Sequence, residues 1–327
     1  MDGLSTAVHG ESMSEELAAL RRCIGQESAP TSYVVDPGSV KYFADSIMDP
    51  DPIYRDEEYA RGTKHGGIVA PPTFFGGAIG LRGIAAGDPR TMFGLVLPLP
   101  AGWLSVATGD EFDFLAPVRP GMTLECRERF VDAYEKQGRS GRLLFYTFEK
   151  SFSNTDGDLL LRRKILCAAL ETPPALPCAR GPVAAGSALQ RPGNMREYTV
   201  GPVTVRYLAM FATATAEFVD IHYDADYARS VGLPGPIVQG LYKTAIIGHM
   251  LKDHAGDGAA VKRLSVQHRG MDVAGSVLTS GGRIVSERHF GTVRHIECEV
   301  WVRNQDGAIT TSGAALLESP VTANRTR

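Results

Sequence analysis

Much that would assign this chain at once is missing from it. No stretch of the 327 residues holds the roughly 20 consecutive apolar residues needed to span a bilayer. The N-terminal run MDGLSTAVHGESMSEEL is acidic and lacks the apolar centre of a secretory signal, so no export or membrane anchoring is expected. Basic charge is not in excess. With a formal net charge of −3 the chain offers no field for nucleic acid. Cysteine is scarce and scattered: Cys23, Cys126, Cys167, Cys178 and Cys298 form no CxxC pair, and their odd number points to reduced thiols in the cytoplasm with no metal site. There is no P-loop and no dinucleotide fingerprint, and no cofactor is expected.

What remains is a globular composition, 43% apolar and 22% charged, long enough for two cores of roughly 150 residues each. The most informative feature is a phrase that occurs twice. It runs DPDPIYRDEEYARGTKHGGIVAPPTFFGGAIG from Asp49 and EFVDIHYDADYARSVGLPGPIVQGLYKTAIIG from Glu217. Asp49 aligns with Glu217, Tyr59-Ala60-Arg61 with Tyr227-Ala228-Arg229, and Ile68-Val69 with Ile237-Val238. Two substitutions separate the copies: His222 is matched by Tyr54, and Gly240 by Pro71. The second copy thus keeps an imidazole and a backbone N–H that the first has lost, which suggests one working half and one supporting half.

Other signals repeat in step. Ser12 and Glu15 make a capping-box pattern ahead of Leu17, Leu20 and Ile24, a short helix that Gly25 can close. Gly141–Ser153 and Asp158–Leu170 are rich in β-formers and flank the turn Asn154–Gly157, reading as a hairpin. The turn Asn304–Gly307 mirrors it after the alternating run Ile296–Val302, and Pro120–Leu124 is paralleled by Ala274–Leu278. Helices are expected over Thr204–Thr215, with Thr204 as N-cap, and over Leu241–Leu251. The chain divides into an extension with a short helix (1–26), a first domain (27–171), a Pro-, Gly- and Ala-rich linker (172–194), a second domain (195–320) and a tail (321–327). Each domain has an α+β pattern, helix first and antiparallel strands after.

Glu217 and His222 lie on a segment that does not continue as helix, so a loop can bring a carboxylate and an imidazole to one water molecule. Imidazole titrates near neutrality and suits proton transfer. Read alone, the spacing is also that of a surface acid and a packed histidine. Gly240 follows Pro234-Gly235-Pro236 at the start of the expected helix, where unpaired N–H groups favour developing negative charge. Read alone, it is also a turn residue. Asp224 is read as a helix cap. His65, His249, His254 and His268 are read as packing or surface residues. Lys243, Arg263 and Arg269 are read as solvated cations that would suit a phosphate.

The second half resembles the MaoC-like, or (R)-specific enoyl-CoA hydratase, branch of the hot-dog superfamily. The signature falls on Glu217, Ile221, His222 and Ala228, with the glycine donor on Gly240. The first half is similar to the degenerate N-terminal dehydratase domain of two-domain members, through Ala70-Pro71-Pro72-Thr73 and the strands near Gly141–Leu170. The resemblance implies a double hot dog, two helices each wrapped by an antiparallel sheet, forming a pseudo-dimer that stays a monomer or pairs as a homodimer. It implies a hydro-lyase that adds or removes water across the 2,3 bond of an acyl-CoA or acyl-carrier-protein thioester, giving an (R)-3-hydroxyacyl product. Glu217, His222 and Gly240 would be catalytic, and Asp49, Tyr54, Val219 and Asp220 would meet substrate. Glu217, Val219 and Asp220 stand where Asp, Asn and Pro are usual. Two alternatives follow from those departures: a redirected acyl reaction such as cyclisation or thioester hydrolysis, and a non-catalytic acyl-binding partner subunit.

Overall fold

Burial alternates along the β-forming runs of both halves, and a period of two gives each strand one inward face. The computed structural model describes residues 14–74, 91–92, 95–138, 141–171 and 194–320. The first half contains α1 (Glu15–Arg21), β1 (Thr31–Val34), α2 (Pro37–Ser46), α3 (Glu57–Arg61), β2 (Thr91–Met92), β3 (Leu95–Val96), β4 (Leu104–Phe114), β5 (Thr123–Gly138), β6 (Gly141–Ser153) and β7 (Leu159–Leu170). The second contains β8 (Tyr198–Val200), α4 (Val205–Thr215), α5 (Ala225–Ser230), α6 (Gly240–Ala255), β9 (Ala260–His268), β10 (Leu278–Phe290), β11 (Val293–Asn304) and β12 (Ile309–Pro320). The linker at 172–193, the tail, Ser12 and the first half's counterpart of α6 lie outside the described residues.

Among the described residues, ten strands form one antiparallel sheet in the order β1-β5-β6-β7-β4-β9-β12-β11-β10-β8. The halves join in its middle, where β4 pairs with β9 and Asp113 stands opposite Arg263. Helix α6 is buried without a break from Leu241 to Leu251, as a helix enclosed by a sheet must be. Across the join α2 meets α4, with the rings of Phe43 and Phe211 5.6 Å apart. This is the double hot dog that the resemblance implied. Among the described residues no helix is long and apolar enough to cross a membrane.

The expected hairpin forms as β6 and β7, closed by a bond from the Asn154 N–H to the Asp158 carbonyl, and its counterpart repeats that bond from Asn304 to Ala308. Some local readings need correction. Helix α1 is capped by Ser14, whose hydroxyl accepts from the Leu17 N–H, and Ile24 is exposed beyond the helix end. Thr204 occupies the N-cap of α4 without a side-chain bond. Helix α6 extends one turn beyond Leu251.

Candidate active site

The repeated phrase folds into the same local device twice. Helix α4 ends at Ala216, held left-handed at φ 50°, and the Glu217 N–H turns back to the Ala212 carbonyl at 3.0 Å. A 3₁₀ turn over Asp220–His222 follows, and Asp224 caps α5 by accepting from the N–H groups of Asp226 and Tyr227. In the first half Met48 is left-handed at φ 60°, and the Asp49 N–H returns to Ala44 at 2.8 Å. A 3₁₀ turn over Pro52–Tyr54 then precedes the Asp56 cap of α3. His222 and Tyr54 therefore close equivalent turns, which is why one replaces the other without disturbing the fold.

His222 is buried, and its Nδ1 is 2.8 Å from the Ile237 carbonyl. A carbonyl only accepts, so Nδ1 carries the proton and Nε2 is left with a bare lone pair. Burial pushes the imidazole pKa down to about 4 against the opposing pull of the Ile237 carbonyl, so the ring is neutral at neutral pH. Glu217 departs in the other direction. Its Oε2 is sealed from solvent with no hydrogen-bond partner. Burial raises its pKa, the Arg163 guanidinium opposes that rise, and Asp110 reinforces it. The residue as a whole is half-buried, but Oε2 at its tip is sealed off. No hydrogen bond or ion pair joins Glu217 directly to His222 among the described residues.

Gly240 is the first residue of α6, and its N–H enters no hydrogen bond among those of the described residues. Space there is tight. A Cβ on Gly240 would stand 2.6 Å from Cδ2 and 2.7 Å from Nε2 of His268. His268 in turn is held on both sides: Nε2–H donates to Asp110 Oδ2 at 3.3 Å, and Nδ1 accepts from the Thr311 hydroxyl at 3.1 Å. Burial lowers its pKa, so it stays neutral with no lone pair to spare and is no rival base. Asp110 also accepts from Thr244, one turn after Gly240 in α6, and from Arg163 at 2.9 and 2.6 Å. Burial works to raise the Asp110 pKa, but the Arg163 guanidinium and His268 hold it well below the usual carboxylate range. A carboxylate from the first half thus anchors the helix end that presents Gly240.

The other expected residues fall out as follows. Val219 and Asp220 are exposed on the 3₁₀ turn. Tyr54 is fully buried with its hydroxyl unpaired. Asp49 is also buried, and both its oxygens are engaged within the protein: Oδ1 accepts the Asp51 N–H and Oδ2 meets His249 Nδ1 at 2.6 Å. His249, read from the sequence as packing or surface, is the cross-half partner of Asp49 and lies tilted at 46° against the Tyr198 ring, with centroids 3.9 Å apart. Lys243 is not a surface cation; it is buried against Asp272 and the Gly270 carbonyl. Arg263 pairs with Asp113, and Arg269 donates to Gln267. Asp110 and Arg163 could not be picked out from the sequence, because neither lies in the repeated phrase. Two grooves, about 440 Å³ beside Arg127 and Asn154 and about 310 Å³ beside Arg162 and Arg263, are lined by none of Glu217, His222 and Gly240.

Comparison with known proteins places this geometry in a class. Solved structures of similar shape include one described as a MaoC-like dehydratase, at a TM-score of 0.71 and 18% identity, covering 93% of this chain and 100% of the other. Another is a Mycobacterium tuberculosis protein described as having a double hotdog fold, at a TM-score of 0.57 and 13% identity, covering 90% and 96%. Residues 22–163 match the model of the FAS1-like dehydratase domain region, and residues 188–301 match that of the MaoC-like domain. The chain belongs to the MaoC-like dehydratase family, in its two-domain form. Among curated relatives, a UPF0336 protein of Thermobifida fusca is 30% identical over 39% of this chain and 78% of its own length. A UPF0336 protein of Streptomyces avermitilis is 32% identical over 30% of this chain and 62% of its own length.

Proposed function

We propose that the chain is an enoyl-thioester hydratase, or in reverse an (R)-3-hydroxyacyl-thioester dehydratase. Dehydratase domains of this family imply hydration or dehydration in general. The observation that carries the finer reading is the state of His222: with Nδ1–H committed to Ile237, a neutral imidazole keeps Nε2 free, five residues after Glu217, whose Oε2 is sealed from solvent and unpaired. Environments that push two titratable groups apart in this way divide the work between acid and base.

In the hydration direction His222 Nε2 removes a proton from water as its oxygen bonds to the β-carbon of a 2-enoyl thioester. The electron pair of the 2,3 bond moves onto the thioester carbonyl, and the enolate oxygen accepts from the Gly240 N–H. Glu217, whose raised pKa favours the protonated carboxyl, gives its proton to the α-carbon. The imidazolium then returns its proton to the Glu217 carboxylate, so both groups end as they began. No electrons leave the substrate, because the carbonyl is itself the sink. Val219 and Asp220, exposed on the turn, are assigned to contact with the thioester. Asp49 we assign to joining the halves, since both its oxygens are engaged there.

CoA or a carrier protein presents the acyl group. Cys23, Cys126, Cys167 and Cys298 are free and buried, as befits a cytoplasmic protein. The test is loss of the conjugated enoyl absorbance of crotonyl-CoA, with a thiol reagent recording free CoA in parallel. Absorbance loss without thiol release supports hydration. Thiol release points to hydrolysis, and a thioester bound but recovered intact points to a non-catalytic subunit.

A further inference from the structure

The inner face of the first half's sheet is crossed by a row of charges. Glu128 on β5 stands opposite Lys150 on β6, and Lys150 opposite Arg163 on β7. Asp110 on β4 completes the row through its bond to Arg163. All four are buried, at 8, 5, 2 and 0% exposure respectively. Lys150 and Glu128 are 2.8 Å apart, and the Arg163 guanidinium also covers the Phe112 ring at 5.4 Å. The row lies between two apolar clusters. Cys126, Phe152, Leu161 and Phe112 belong to one, and Phe130, Phe148 and Ile165 to the other.

The second half supplies its own comparison. With the two hairpin turns superposed, Glu128, Lys150 and Arg163 correspond to Gly282, Val300 and Gly313, which pair across β10, β11 and β12 in the same register. There the row is small and apolar. Gly282 has no room for a side chain, since a Cβ would come within 2.8 Å of Met195 and 3.3 Å of Met250. The second half's strands leave that place to Met195 and Met250, and the first half's strands carry ion pairs at the corresponding positions.

These charges are also the ones that act on Glu217: Arg163, Asp110 and Lys150 all do so. Asp110, at the end of the row, accepts from Thr244 and from His268, the ring that packs against Gly240, so a substrate whose carbonyl sits at Gly240 meets the row on its first-half side. We infer that this row closes the first half's interior to alkyl chains, and that the substrate is a short-chain acyl thioester. The inference rests on the hydratase reading for the thioester and on the row for the length. An alkyl chain threaded past the row would gain little apolar contact and would strip partners from buried ions, which is strongly unfavourable. A chain in an apolar tunnel behaves differently, each buried methylene raising affinity by about fourfold.

Two measurements test this. The first is the affinity of the wild-type protein for unreactive thioether analogues of butyryl-, hexanoyl-, decanoyl- and palmitoyl-CoA, by calorimetry. The expected result is affinity that levels off or falls beyond the hexanoyl analogue. A steady rise of about fourfold per methylene through palmitoyl overturns the inference. This series needs no turnover, so a protein that fails to hydrate crotonyl-CoA would refute the hydratase reading and leave the length test standing. The second uses Glu128→Leu with Lys150→Met, which removes an ion pair together and leaves no lone buried charge. The ratio of decanoyl to butyryl affinity should rise tenfold or more over wild type. A folded variant with an unchanged ratio overturns the inference, and if the variant does not fold the wild-type series decides.

Discussion

The carboxylate of Asp49 and Nδ1 of His249, 200 residues apart in the chain, meet at 2.6 Å in the interior. The pair joins the acid of the first repeat to the central helix of the second half, and Lys252 one turn on makes an ion pair with Asp51. Removing one partner of a buried pair typically costs about 3–5 kcal/mol. Asp49→Ala should therefore lower the urea midpoint sharply, while Asp49→Leu combined with His249→Leu should recover much of the loss. Additive effects of the two single changes would show that the contact contributes nothing of its own.

Glu217→Gln and His222→Ala should each reduce kcat for hydration of a short enoyl-CoA by about 10²–10⁴, the usual worth of a positioned acid or base. The two changes together should cost little more than the worse one, since each disables the same proton cycle. Wild-type turnover in both variants would remove these residues from the chemistry.

The same carboxyl is a liability to the fold. Burial raises the Glu217 pKa, so as pH rises past the ordinary 4.5 the unfolded chain ionises more readily than the folded one, and stability is lost towards neutrality. Glu217→Gln should consequently melt at a higher temperature than wild type at pH 7 and at much the same temperature below pH 4.5. A variant that is slower and no more heat-resistant would place the carboxyl in a solvated setting.

His222 acts on the opposite side. Folded, its pKa is about 4 against an ordinary 6.5, so below 6.5 the unfolded chain binds a proton that the folded chain refuses. Stability should fall as pH drops from 6.5 towards 4, by on the order of 3 kcal/mol in total, and this contribution should then level off. His222→Gln, which can keep a donor on the Ile237 carbonyl, should flatten that part of the curve. Denaturation midpoints measured across the range give the comparison.

Gly240→Ala puts a methyl group against His268 at the head of α6. Displacing that end should cost about 10²–10³ in kcat, as losing an oxyanion donor does, with KM less affected. A fall confined to KM would mean that the glycine only shapes the binding surface.

Periodicity made the strands legible, and turn chemistry made their hairpins legible: the Asn-x-x-Gly turns sit where the residues require them. The repeat was equally readable, because local caps and returns build it, as at Asp224 and Asp56. What the sequence hid was long-range charge. Asp110, Arg163, His249 and His268 meet partners 53 to 200 residues away, and no local spacing announces such a meeting. Lys243 misled for the same reason: a lysine in an apolar helix reads as a surface cation until its acid, Asp272, arrives from another element.

The union of β4 with β9 has a bearing on how the gene can be divided. Split between residues 171 and 194, the protein would yield fragments that each bare a long inner strand, ready to zip onto any extended chain. Made apart, such pieces should clump; made side by side in one cell, each would shield the other, as the single polypeptide ensures by synthesising both at once.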